Sequence, residues 1–177
     1  MQPVEILSLG QFEILIHGMP ARIAGRGPRK PLELLSLLLV AGARGTSIGA
    51  VADNLWPDAD GFDAYRSLIT TLHRLRRLLE CPAAIHLAAG RVRLDPMFCG
   101  VDVWRYEHAI SVACDRDQLR AAMDLYAGPF LPDSECHWVV AMRSRLQLSL
   151  ARAIRVIGSR WQAQHLSSAT GAATRYG

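Results

Sequence analysis

Lysine is almost missing from this chain of 177 residues, where Lys30 stands alone against 19 arginines. Paired cysteines are missing too. Cys81, Cys99, Cys114 and Cys136 form no CxxC and no secreted-type framework, a pattern that points to free thiols in a reducing, cytoplasmic setting. No apolar run is long enough to cross a bilayer. The longest, Leu34 to Ala43, falls well short of the roughly 20 residues a spanning helix needs, so no membrane partner is expected. The opening residues carry no charged leader before an apolar stretch and no small-residue cleavage site, so no signal peptide is expected either. The phosphate-loop pattern GxxxxGK[ST] is absent. Gly25-Arg26-Gly27-Pro28-Arg29-Lys30 imitates it only loosely, and Pro28 removes an amide donor. His86, His108 and His165 have no metal-ligand spacing with any cysteine or carboxylate. Cys136 and His137 are adjacent but lack a third, orienting group. These absences lead to an expectation of no catalytic residues, no cofactor and no metal.

What is present is ordinary globular composition, 50% hydrophobic and 20% charged. Short alternating segments open the chain: Val4 to Leu9, then Phe12, Ile14 and Ile16 up to the turn signal His17-Gly18, then Met19 to Ile23. A leucine-rich helix follows from Pro31 to about Gly42, and Thr46-Ser47 can cap a second over 48–55. Asp58, Asp60 and Asp63 fall in an acidic loop, with Asp63 as the expected cap of a third helix over 64–79. Ile85 to Leu87 and Arg91 to Leu94, separated by Ala88-Ala89-Gly90, read as a hairpin. Asp95-Pro96 and Cys99-Gly100 read as a boundary. Helices are expected beyond it over 103–113, 118–126 and 139–161, followed by a small-residue tail from Ser167 to Thr174. Trp104, Tyr106, Tyr126, Phe130, Trp138 and Trp161 are expected to pack between these helices.

Charge is concentrated rather than spread. Between residues 64 and 94, six arginines face only Glu80. Wound at about 100° per residue, Leu68, Leu72, Leu75 and Leu79 share one stripe flanked by Ile69 and Leu78, and Arg66, Thr70, His73, Arg74 and Arg77 lie opposite. Thr71 and Arg76 fall at the edge of the stripe. Arg91 and Arg93, two apart on a strand, point to one side. A carboxylate-free row of guanidinium groups beside a basic hairpin suits the phosphates and base edges of double-stranded DNA. The alternative is a solvated arginine face. In the same way, the basic turn over 25–30 suits either a DNA phosphate or plain solvent.

The segment from Arg66 to Leu79 resembles the recognition helix of OmpR/PhoB-type winged-helix regulators. Arg29-Lys30-Pro31-Leu32-Glu33-Leu34-Leu35, Leu55-Trp56-Pro57-Asp58 and Leu72 to Leu79 resemble the antibiotic-regulatory (SARP-type) activators and the DNA-binding modules of MalT-like regulators. Asp102-Val103-Trp104-Arg105-Tyr106-Glu107, Leu125 to Pro132, and Trp138-Val139 followed by Arg143 and Arg145 are similar to the bacterial transcriptional activator domain. The resemblance runs from about residue 5 to residue 161.

It implies an α+β winged helix-turn-helix DNA-binding domain over 1–97. Over 98–177 it implies the first part of an all-α, tetratricopeptide-like activator domain, whose relatives continue with further helices. It implies DNA contacts at Arg66, Thr71, His73, Arg74, Arg76 and, on the wing, Arg93. It further implies that the loop of Asp58, Asp60 and Asp63 meets RNA polymerase, and that direct repeats are bound by tandem homodimers. The expected function is sequence-specific DNA binding and transcriptional activation. The competing reading is a helical protein–protein scaffold that binds no DNA.

Overall fold

The structure, a computed structural model, describes residues 2–21 and 29–173, with the side chains of the last helix followed to residue 162. Among the described residues it is a mixed α/β fold with two small sheets and six α-helices. Strands β1 (Val4–Leu7) and β2 (Glu13–Ile16) pair antiparallel and place Val4 opposite Ile16 and Ile6 opposite Ile14. All four side chains are buried, as the period of two in a half-buried strand requires. His17 and Gly18 turn the chain with positive φ into β3 (Met19–Pro20), the backbone that a tight hairpin prefers. Ile23 and the turn over 25–28 lie outside the described residues.

Helix α1 (Arg29–Ala41) buries Leu34, Leu35, Leu37, Leu38 and Leu39. Strand β4 (Thr46–Ser47) leads into α2 (Ile48–Leu55), where the Ser47 hydroxyl accepts from the Ala50 amide at 3.1 Å. Helix α3 (Gly61–Leu78) follows, then a 3₁₀ turn (Pro82–Ala84) and the hairpin of β5 (Ile85–Ala88) and β6 (Arg91–Leu94). Ala89 and Gly90 both take positive φ at the hairpin tip. β4 joins β6 to complete a three-stranded sheet of order β4-β6-β5. Strands, three helices and a terminal hairpin occur in the order expected of a winged helix.

Just past the expected junction at residues 97–98, the chain returns to the first sheet. Cys99–Val101 forms β7, which pairs parallel with β1 and completes a sheet of order β3-β2-β1-β7. Helix α4 (Asp102–Val112) starts directly from it, and the Asp102 carboxylate accepts from Ser8 N at 2.7 Å, Ser8 Oγ at 2.6 Å and Leu9 N at 2.9 Å. Helix α5 (Arg116–Asp124) is capped by Asp115, and α6 (His137–Ala173) is the last described element, running well past the expected end near Trp161.

The loop between α5 and α6 docks back on the first sheet. Leu9 bridges Phe130, and the Gly10 amide donates to Pro129 O at 2.9 Å. A Cβ on Gly10, whose φ is +79°, would lie 2.6 Å from Ala127 O, and one on Gly128 would lie 2.7 Å from Gly10 Cα. Only glycine at both places allows this approach. One buried core runs from Val4 through the leucines of α1 and α3 to Val139, Met142 and Leu146 of α6.

Tyr106 and Phe130 are buried, and Tyr106 packs against Tyr126 with ring centroids 5.2 Å apart. Trp104 and Trp138 are half-buried, whereas Trp161 is 42% exposed, with the Arg116 guanidinium 5.1 Å from its ring centroid. Among the described residues, no helix is long and apolar enough to cross a membrane.

Candidate nucleic-acid interface

Asp60, not Asp63, caps α3. Its carboxylate accepts from the Asp63 amide at 2.8 Å, so the helix begins at Gly61, ahead of the expected start, and Asp63 sits in the first turn. A carboxylate there satisfies free amides and complements the positive end of the helix dipole. Asp58 and Asp63 are exposed, as is Asp60.

Leu68, Leu72, Leu75 and Leu79 form the buried side of the α3 segment. Each such leucine contributes about 1.5–3 kcal/mol of burial. The opposite side is open: Arg66, Thr70, His73, Arg74 and Arg77 are all exposed. Thr70 Oγ1 donates to Arg66 O at 3.0 Å, and the Arg66 guanidinium lies 5.7 Å from the Phe62 ring centroid. Among the described residues, no carboxylate pairs with Arg66, Arg74 or Arg77.

Two residues implied as DNA contacts, which fall at the edge of the stripe, stand off this exposed face. Thr71 is only 5% exposed, because its position on the helix turns it toward the leucine side. Arg76 is half-buried: its Nη2 donates to Ile85 O at 2.9 Å, and its Nε is buried with no acceptor. It fastens the end of α3 to the start of β5. Ile69, expected beside the buried stripe, is instead exposed, and with Phe62 and Tyr65 it adds an apolar strip to the arginine face.

The hairpin also differs from expectation. Arg91 is exposed, but its Nη2 donates to Gly45 O at 2.7 Å and Arg44 O at 3.3 Å, bracing the turn before β4. Arg93 is not free of acidic neighbours. Its Nη2 lies 3.3 Å from Asp95 Oδ2, the oxygen that also lies 2.8 Å from His86 Nε2. The Asp95 carboxyl is held below the ordinary range. The Met97 amide donating to it contributes most, and Arg93 and His86 add to this against the opposing effect of burial.

Asp95 was missed because it falls one residue past the acid-poor window. The signal was available, since residues two apart on an extended chain face the same way. Arg44 was missed as well. It is exposed in the turn that Arg91 braces, with no carboxylate partner among the described residues.

Among the described residues, no three His, Cys, Asp or Glu side chains gather as metal ligands would. Burial pushes the Cys99 thiol up to about 12, far from the thiolate that reactivity needs. The His137 ring lies edge-on to Trp138 at 4.9 Å.

No protein-family model matches the chain, and no curated protein matches it. Among solved structures it is similar to Mycobacterium tuberculosis EmbR in complex with low affinity phosphopeptide, with a TM-score of 0.65 at 21% sequence identity. The match covers 86% of this chain and 44% of that one, so the chain spans less than half the length of EmbR. At this identity the likeness is one of fold.

Proposed function

We propose that the chain is the DNA-binding and adjoining helical part of a bacterial transcriptional activator. The observation that carries this reading is the outer face of α3. Three guanidinium groups, Arg66, Arg74 and Arg77, stand exposed on a leucine-backed helix with no carboxylate paired to them among the described residues. Laid in a major groove, such a face places Arg66 and Arg77 on phosphates and Arg74 on a base edge, with Thr70 and His73 as shorter donors. Ile69 supplies an apolar surface for a thymine methyl group. The hairpin braces the neighbouring backbone through Arg93.

The motif resemblance supports the same assignment, and the fold shared with EmbR supports its architecture. In this reading, α4 to α6 begin a tetratricopeptide-like activator domain. The acidic turn of Asp58, Asp60 and Asp63, with Phe62 71% exposed beside it, fits a basic partner such as RNA polymerase. Two copies occupy direct repeats.

The test is the salt dependence of duplex binding, followed by fluorescence anisotropy. Three phosphate contacts give a log–log slope of about −2.7, so affinity falls roughly 40-fold between about 50 and about 200 mM salt. With Arg66, Arg77 and Arg93 as the three phosphate contacts, replacing Arg66 and Arg77 together by alanine should reduce that slope to about −0.9, the share left to Arg93. A wild-type chain that binds no duplex at low salt removes the reading and leaves the scaffold.

A further inference from the structure

We propose that Asp95 is a positioning residue that competes with DNA for the wing arginine. Its carboxylate holds Arg93 at rest, and binding must draw that guanidinium away. The inference rests on the DNA-binding reading above and names a control within it.

His86 and Arg93 are cross-strand partners in the β5–β6 hairpin, so their side chains leave the same face of the sheet. Both reach Asp95 Oδ2, at 2.8 and 3.3 Å. The carboxylate itself cannot travel. Its Oδ1 accepts from Met97 N at 2.9 Å, its amide donates to Ala84 O at 2.9 Å, and its carbonyl accepts from Phe98 N and Cys99 N at 3.0 and 2.8 Å. Its side chain is 12% exposed, whereas those of Arg93 and His86 are 39% and 43% exposed. The acid is fixed and the cation beside it is the part able to move. Arg91 is already committed to the Gly45 carbonyl, so Arg93 is the hairpin guanidinium left to meet a phosphate.

A phosphate near the hairpin therefore competes with an anion already in place, and Asp95 adds like charge to the DNA-facing side. His86 lowers the barrier to exchange. Its Nε2 lies within ion-pair distance of Oδ2 but makes no hydrogen bond with acceptable geometry, so a small rotation gives Asp95 a partner when Arg93 leaves. Asp95 thereby sets how much the wing contributes.

The experiment titrates a labelled generic duplex with the full chain as wild type, Asp95→Asn, Arg93→Ala and the double variant. Asparagine keeps the oxygen that Met97 needs and removes the charge. Asp95→Asn is expected to tighten binding about fivefold and to steepen the log–log salt slope, by less than the about 0.9 of one whole phosphate contact, as Arg93 spends more of the bound state on DNA. Both changes should vanish in the Arg93→Ala background. Equal tightening with and without Arg93 overturns the proposal in favour of simple charge removal. Weaker binding by Asp95→Asn overturns it in favour of an aspartate that aims Arg93 at DNA. Should Asp95→Asn fail to fold, His86→Ala decides the matter. It leaves Arg93 as the sole side-chain partner of Asp95, so binding should weaken about twofold or more only while Arg93 is present; no weakening overturns the inference. Wild-type protein that ignores duplex DNA overturns the DNA reading itself, an outcome distinct from all of these.

Discussion

Arg74 and Arg76 sit two residues apart on α3, yet the structure gives them opposite work. Arg74 is exposed and has no carboxylate partner among the described residues, so Arg74→Ala should leave stability within about 0.5 kcal/mol of wild type. In the DNA reading it should cost about 1–3 kcal/mol of binding and relax preference at one base pair. Arg76→Ala deletes the Nη2 bond to Ile85 O. A hydrogen bond from a charged donor contributes about 1.5–3 kcal/mol. The buried, unpartnered Nε of the same side chain offsets part of that, because its desolvation cost disappears too. A net loss of about 1–2 kcal/mol in urea unfolding is expected, with duplex affinity of the folded variant unchanged. Anisotropy and denaturation on the same preparations separate the two effects. If Arg76→Ala weakened DNA binding at full stability, or Arg74→Ala unfolded the domain, the division of the helix into a fastening side and a reading side would be wrong.

Arg143 donates to Phe130 O and Ser134 O at 2.8 Å each, to Pro132 O at 3.1 Å, and to Leu131 O. Arg143→Met should destabilise the chain by about 2–4 kcal/mol in urea unfolding, and Arg143→Lys by less, because a point charge cannot reproduce the planar fork. Asp58→Asn combined with Asp63→Asn leaves the Asp60 cap in place and should reduce transcriptional activation in a reporter assay while duplex affinity holds or rises; unchanged activation removes the polymerase contact. Asp95, with its carboxyl held low first by the Met97 amide, contributes stability that is complete above about pH 4. That contribution is lost as pH falls through its lowered folded value. The acid side of a stability–pH curve should therefore be flatter for Asp95→Asn than for wild type.

The parts legible in the sequence were those fixed by local pattern. Alternation placed Val4, Ile6, Ile14 and Ile16, and helical spacing placed Leu68, Leu72 and Leu75, because burial of one face imposes those periods. Ser47 and Ala89-Gly90 announced a cap and a turn through their own backbone chemistry. What escaped depends on partners far along the chain. β7 is three residues without alternation and exists because β1 offers an edge 95 positions earlier in the register Val4 to Cys99. Arg91 looked like a free cation until its acceptor appeared 46 residues away at Gly45. Thr71 and Arg76 sat on the margin of the helical wheel, where burial is decided by the neighbouring elements rather than by the angle.

Three residues of the second half that carried the family resemblance fasten onto α1, the helix against which α3 packs. Trp104 Nε1 donates to Leu39 O at 2.7 Å, Trp138 Nε1 to Ser36 Oγ at 2.9 Å, and Arg145 Nη2 to Val40 O at 3.4 Å. Leu39 lies in the last turn of α1, where a helix leaves carbonyls without internal partners. The indole is thus a side-chain cap supplied from α4. Trp104→Phe retains most of the ring packing and removes the donor, so it isolates that bond at a cost of about 1 kcal/mol. Because the change acts behind α1 and touches no exposed residue of α3, the salt slope of duplex binding should not move. A slope that did change would mean that α4 shares the DNA-facing surface rather than supporting it.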